Sequence, residues 1–425
     1  MKKRIIAVLM TVAMTASLVA CGSVAKEAAP AAEAATEEAA PAEEAAPAEE
    51  AAPAAASNVK MGFIFLHDEN STYDLNFING AKEACEAAGV EYVLKTNIPE
   101  GQECYDAACE LADAGCNIVF ADSFGHEDYM IEAAKEFPEV QFCHATGTKA
   151  HTEGLSNFHN AFASIYEGRY LAGVVAGMKL NEMIDKGDIT ADQAKIGYVG
   201  AFTYAEVISG YSSFFLGARS ICPSATMEVT FTGSWYDETA EKEGANKLIE
   251  DGCVLISQHA DSMGAPTACE TAGVPDVSYN GSTASACPNT FLVSSRINWA
   301  PYFSHIIDCV SNGQAIETDY TGTIATGSVE LTDLGTAVAE GTQEALDKAK
   351  AGIEDGSIKV FDTKTFTVEG AELTTYMADV DTDPEYAGDH EAIVDGAFNE
   401  SGEGFRSAPY FNVSIDGITL LDQAY

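Results

Sequence analysis

The chain has 425 residues, 47% of them hydrophobic and 9% aromatic, so the stretch from Asn58 to Tyr425 can hold two domains with ordinary cores. Its 22 basic against 66 acidic residues leave a formal charge of −44, which argues against nucleic acid or an anionic membrane surface as partner. The 11 cysteines contain no CxxC pair, so most of them read as small core residues.

The N-terminus is a leader. Lys2, Lys3 and Arg4 precede an uncharged apolar run from Ile5 to Ala20 that is too short to span a membrane, as in a secretory signal. Leu18-Val19-Ala20-Cys21 looks like a bacterial lipobox, which implies removal of residues 1–20 and a lipid on Cys21. Residues 21–56 are nearly all Ala, Glu and Pro. The repeated AAP unit interrupts helices and the like charges repel, so an extended, disordered tether is expected.

From Val59 the pattern alternates. "VKMGFIFL" predicts a strand, "NFINGAKEACEAAG" a helix stopped by Gly89, "VEYVLKT" a strand and "GQECYDAACELADAG" a helix. "NIVFA", "EDYMIEAAKEF" and "VQFCHA" continue strand, helix, strand. After the long helix "SIYEGRYLAGVVAGMKLNEM" the pattern restarts with "AKIGYVGAF" and runs through "TMEVTFTG", "CVLISQ", "DVSYNG" and "NTFLVSSR", with helices between and "WAPYFSHIIDCVSNG" behind. This βαβ repetition predicts an α/β fold of two similar halves, each a parallel sheet covered by helices, with a cleft between them. The expected lobes are residues 58–165 with 296–325, and 166–295 with 326–425. "GFRSAPYFNVSIDGITLL" near the C-terminus reads as an extra edge or hairpin on one lobe.

Ligands of such sheets sit at the carboxyl ends of strands. Those ends carry no GxxxxGK[ST], HExxH or GxSxG, so no catalytic, cofactor or metal set is expected. They carry rings and polar groups instead: Tyr73 and Asp74 after the first strand, and Phe124 in "DSFGHE" after the third. The second half adds Phe202, Glu206, Trp235, Gln258, His259 and Asp261. Each aromatic alone reads as packing. Together they fit two ring faces closing on something flat, with carboxylates accepting from its N–H groups. A sugar also uses rings and carboxylates, so this reading leaves both ligand classes open. Asp237, and equally Asp261, has a second reading as a helix cap.

Several segments add a resemblance. "SFGHEDYMIEAAKEFPEVQFCHATG", "SIYEGRYLAGVVAGM", "KIGYVGAF", "FFLGARSICP", "GSWYDETAEKEGANKLIEDG" and "SQHADS" resemble the basic membrane protein family, substrate-binding lipoproteins of ABC importers related to purine nucleoside receptors. The resemblance runs from about Val59 to Gly356. It implies a type I periplasmic-binding fold of two Rossmann-like lobes joined by three crossovers, closing on the ligand by a hinge. It also implies a permease and a separate ATPase subunit as partners, with the membrane reached only through the lipid. The family's Ser-Phe-Asn-Gln motif reads Thr72-Tyr73-Asp74-Leu75 here, which keeps a stacking ring but turns an amide into a carboxylate. Phe124 carries over as a second stacking face. The family's acidic ribose turn reads Ser278-Tyr279-Asn280-Gly281-Ser282, without Asp, which makes Asn280 the candidate there. "SWYD" and "QHADS" look closer to the subgroup implied to bind free purine bases, where Trp235, Gln258, His259 and Asp261 line the pocket. The expectation is a lipid-anchored importer component on the extracytoplasmic face, not an enzyme, carrying a purine base or nucleoside. The alternative is a receptor or importer component of the same fold for riboflavin or a sugar.

Overall fold

The structure, a computed structural model, describes residues 59–378, 390–400 and 406–425. The expected leader, the expected lipid site at Cys21 and the expected tether lie outside the described residues, which belong to one compact unit, residues 54–425.

The first half contains β1 (Lys60–Ile64), α1 (Thr72–Ala88), β2 (Glu91–Lys95), α2 (Gln102–Asp113) and β3 (Ile118–Ala121). It continues with α3 (Glu127–Glu136), β4 (Gln141–Ala145), α4 (Ala150–Glu153) and β5 (Phe158–Ala163). The long α5 (Ile165–Lys186) leads into β6 (Lys195–Gly200), α6 (Ala205–Ile221), β7 (Thr226–Phe231), α7 (Glu238–Glu250) and β8 (Leu255–Gln258). Then come α8 (Gly264–Ala272), β9 (Asp276–Tyr279), β10 (Phe291–Ile297), α9 (Ala300–Ser311), β11 (Asp319–Gly322), β12 (Val329–Leu331) and α10 (Thr342–Glu354). A last strand, β13, spans Ile418–Leu420.

The strands form two large sheets. The first is wholly parallel, in the order β2-β1-β3-β4-β5-β11. The second runs β12-β10-β9-β8-β6-β7-β13, with β12 alone antiparallel. Central strands such as Ile118–Ala121 are buried along their whole length, as expected where helices cover both faces. The chain crosses between the sheets three times: from β5 into α5, from β10 toward α9 and β11, and from β11 to β12. This is the type I periplasmic-binding fold.

Local chemistry sets the details that matter for the cleft. The helix expected from Asn76 starts four residues earlier, because the Ser71 hydroxyl caps it by accepting from the Asp74 N–H at 3.2 Å. Tyr73 and Asp74 therefore stand on a rigid first turn rather than in a loop. Gly89 ends α1 in the left-handed conformation, φ 65°. Helices α5 and α6 touch backbone to backbone: a Cβ on Gly173 would lie 2.0 Å from the Phe214 carbonyl oxygen, and one on Gly217 2.0 Å from that of Tyr170. Near the crossovers, Trp299 stacks on Phe77 at 4.3 Å and the Asn76 amide donates to the Ile297 carbonyl at 2.7 Å. The ten cysteines from Cys85 to Cys309 are free thiols, all buried except half-buried Cys109.

The C-terminal segment wraps the second lobe and touches the first. Strand β13 pairs in parallel with β7 at the sheet edge, and the Asp422 carboxylate accepts from the Thr230 hydroxyl at 2.6 Å. Glu400 is buried against α6, accepting from the Ser209 hydroxyl at 2.6 Å and the Phe411 N–H at 2.8 Å. Ser407 reaches across to β11, where its N–H and hydroxyl donate to Asp319 at 2.9 and 3.1 Å.

Candidate ligand-binding cleft

A cavity opens where the carboxyl ends of the two sheets face each other. From the first lobe it is lined by Leu66 and His67 after β1, Tyr73 and Asp74 on α1, Ser123 and Phe124 after β3, and Thr146 after β4. From the second come Glu206 on α6, Trp235 after β7, His259 and Asp261 after β8, and Tyr279 on β9. The predicted residues Tyr73, Asp74, Phe124, Glu206, Trp235, His259 and Asp261 are thus brought together from both halves.

The other three stand behind the wall. Phe202 stacks on Tyr204 at 5.1 Å and packs edge-on against Trp235 at 5.0 Å, so it props the indole. Gln258 does not line the cavity, and its amide NH2 turns to its own loop, donating to the Ala260 and Ser262 carbonyls at 2.8 and 3.1 Å. Asn280 adopts φ 66° and donates to the Asp261 carboxyl at 3.1 Å, so it orients a wall residue. His126, Asp122, His259 and Asp261 do not gather as metal ligands; among the described residues the one such cluster is His305, Cys309 and Glu317, elsewhere in the fold.

The Phe124 loop is held by an acid that the sequence pattern did not single out. The Glu100 carboxylate accepts from the Ser123 hydroxyl at 2.5 Å and the Gly125 N–H at 2.9 Å. A Cβ on Gly125 would lie 2.6 Å from the Glu100 side chain, so glycine is required for this grip. His126 turns inward and contacts the Ile98 carbonyl at 2.9 Å. With the loop fixed behind it, Phe124 stays 40% exposed at the mouth and its ring meets Tyr204 of the other lobe at 5.8 Å.

Carboxyl groups dominate the electrostatics. Burial raises the Asp74 carboxyl, but hydrogen bonds from the His67 ring and N–H and from the Ser71 hydroxyl outweigh it and hold the group below its ordinary pKa. Burial pushes Asp261 well above the carboxylate range, and Asp74, Glu241 and Glu206 add repulsion that the Asn280 amide only partly offsets. Asp261 caps no helix: α8 starts at Gly264 behind Met263, whereas Asp237 does cap α7 through the Thr239 and Ala240 N–H groups. Burial lowers His259 below its ordinary value despite Glu206 at 3.5 Å, which favours the neutral ring, and the imidazole packs tilted by 49° against Tyr279 at 4.6 Å. Behind Tyr279 lies buried Arg169, 4.7 Å from the ring centre, donating to the Tyr198 hydroxyl and the Gln258 carbonyl. The cleft thus offers ring faces, the acids Asp74, pushed toward its ionised form, and Asp261, pushed toward its protonated form, Glu206 beside them, and an imidazole pushed toward its neutral form. That set can both accept from and donate to the edge of a flat heterocycle.

The wall residues that sequence reasoning missed, Leu66, His67, Ser123, Thr146 and Tyr279, follow the same rule of strand ends. Thr146 sits at φ 65°, a costly conformation for a β-branched residue, and its hydroxyl folds back on the Ala145 carbonyl. The cavity is tight, ≈ 30 Å³, about the room one water needs, so a ring system enters only with the walls parted.

Comparison with known proteins places this arrangement. The profile of the ABC transporter substrate-binding protein PnrA-like family, Bmp, matches residues 65–362. The chain belongs to the Bmp family. A purine-binding protein of Brucella abortus is 30% identical over 323 residues, 75% of this chain and 87% of that protein. A putative ABC transporter glucose-binding protein of Haloferax volcanii is 29% identical over 264 residues, 62% of this chain and 64% of that protein. Solved structures share the fold: a solute-binding protein of an ABC transporter system from Aeropyrum pernix has a TM-score of 0.60 at 16% identity, over 71% of this chain and 93% of that one. One from Conexibacter woesei has 0.57 at 19%, over 71% and 98%. As a Bmp-family protein the chain is a substrate-binding component of an ABC transporter, with a small-molecule ligand and a permease as partners. Among the described residues no helix is long and apolar enough to cross a membrane.

Proposed function

We propose that this Bmp-family protein is lipid-anchored through Cys21 on the extracytoplasmic face and binds a purine base or nucleoside between its lobes for delivery to the permease. One observation carries the ligand: Phe124, Tyr73 and Trp235 line the same cavity as Asp74, Glu206 and Asp261, at the carboxyl ends of both sheets. Flat faces beside acids and an imidazole pushed toward its neutral form suit a heterocycle with alternating N–H donors and ring-nitrogen acceptors. The purine-binding relative supports the same class. Titration of the refolded body with adenine, adenosine, riboflavin and glucose tests it. Heat of binding with a purine supports the reading. Heat with glucose or riboflavin alone replaces the ligand and leaves the transport role. The anchor is tested apart from the ligand: Cys21→Ala moves the protein from the membrane fraction to the soluble one, and unchanged fractionation contradicts lipidation.

A further inference from the structure

At the amino end of the first sheet, opposite the cleft, three donors converge between α9 and the start of β11. His305 and Cys309 are four residues apart on α9, neighbours on one helix face, and Glu317 stands two residues before β11. One donor atom from each lies within 4.8 Å of the other two. The His305 Nε2 is 2.6 Å from the Glu317 carboxylate and 3.7 Å from the Cys309 Sγ. The backbone around them is held in place. Gly313, at φ 64°, turns the chain back from α9, and the Gln314 N–H donates to the Cys309 carbonyl at 2.8 Å. The His159 ring contacts the Glu317 carbonyl at 3.0 Å. Tyr320 of β11 stacks on the His305 ring at 5.5 Å, with 27° between the planes, and so orients the imidazole.

Imidazole, thiolate and carboxylate are the donors that zinc-class ions take, and the sulfur excludes the hard cations magnesium and calcium. Around a tetrahedral zinc such donors stand about 3.4–3.6 Å apart. The His305–Cys309 separation is already close to that, and the His305–Glu317 hydrogen bond opens by about 0.8 Å when a metal replaces its proton. Cys309 is buried, but the His305 and Glu317 side chains are 33% and 52% exposed, so an ion arrives from solvent and keeps water as its fourth ligand. Burial, with Glu317 and Asp308 nearby, pushes the Cys309 thiol above its ordinary value. A divalent cation offsets that repulsion, and the thiol proton leaves to solvent as the thiolate binds.

We infer that His305, Cys309 and Glu317 form a binding site for one zinc-class divalent ion. The ion staples α9, which the second crossover enters, to β11, the edge strand from which the third crossover leaves. The site is separate from the cleft, so its test does not depend on the purine reading. The test is titration of the EDTA-stripped protein, under a phosphine reductant, with Co2+ as a visible stand-in for Zn2+. The wild type takes up one Co2+ with a thiolate-to-metal charge-transfer band and the strong visible bands of a four-coordinate site, and Zn2+ bleaches both. Cys309→Ser loses the charge-transfer band. His305→Ala and Glu317→Gln, changed at half-buried and exposed positions, weaken binding by more than about tenfold, the lower end of what changes one shell farther from a metal cost. Zn2+ raises the melting temperature of the wild type and not of the three variants, whose metal-free melting curves show that they fold. No charge-transfer band, Co2+ bound only in large excess, or a band that survives in Cys309→Ser overturns the inference. So does wild-type affinity in both His305→Ala and Glu317→Gln, the two variants that keep the test open if Cys309→Ser does not fold.

Discussion

At Phe124 a ring is kept exposed at the cleft mouth by an acid 24 residues earlier in the chain, Glu100, which holds the residues on either side of it. Because the loop is anchored by its backbone and by Ser123, Phe124→Ala removes a face without loosening the loop. We expect a loss of about 1–3 kcal/mol in purine affinity, the range of base–aromatic stacking, with the melting temperature nearly unchanged. Calorimetry beside a melting curve checks both, and unaltered affinity takes Phe124 out of the site. Asp261→Asn mimics the protonated carboxyl that burial favours, so the fold survives, while ligand affinity falls by about 1–3 kcal/mol. A fall in stability with affinity intact makes Asp261 a structural residue. That Tyr73, Asp74, Phe124, Glu206, Trp235, His259 and Asp261 line one cavity was legible in the sequence, because strand ends announce themselves by a broken apolar run. Gln258 was not separable from its neighbours, since only the fold shows that its NH2 donates to the Ala260 and Ser262 carbonyls. Glu100 lies in a loop of ordinary polarity and gave no signal.

Among the elements, the alternating core was readable because parallel strands are continuous apolar runs and several of the helices, such as α1, α5 and α8, end at a left-handed glycine. The strand β5, "FHNAFA", was hidden by His159 and Asn160, which are buried but satisfied: the imidazole against Glu317 and Gln141, the amide against Glu127 and Ala150. Strands β11 and β12 were too short for any periodicity to register. The C-terminal segment has a testable joint in Glu400, whose carboxyl is pushed up to about 7 by burial, against hydrogen bonds from Ser209 and the Phe411 N–H. The folded state thus holds a proton that the unfolded chain, with an ordinary value near 4.5, has released. Its stabilising effect is complete below pH ~4.5 and is lost as pH rises toward ~7. Glu400→Gln keeps the neutral form at every pH. It should match the wild type near pH 4 and exceed it by up to about 3 kcal/mol at pH 8 in denaturant unfolding. A stability difference that does not vary with pH means that Glu400 titrates normally.

In the whole molecule, two sheets joined by three crossovers present one cleft whose walls come from both lobes, so ligand binding is coupled to the lobes' approach. Contacts already bridge the cleft: Phe124 with Tyr204, His67 with Tyr236 at 5.7 Å, and Thr72 with the Asp261 carbonyl at 3.2 Å. A ligand that joins the lobes raises the melting temperature by mass action; at a concentration one hundred times Kd the gain is about 2.7 kcal/mol. The most direct measurement is a thermal-shift series on residues 57–425, unfolded and refolded to strip carried-over ligand, with purine bases, nucleosides, riboflavin and sugars. The account predicts a concentration-dependent rise with adenine or adenosine and none with glucose. A rise with glucose or riboflavin and none with any purine would contradict it.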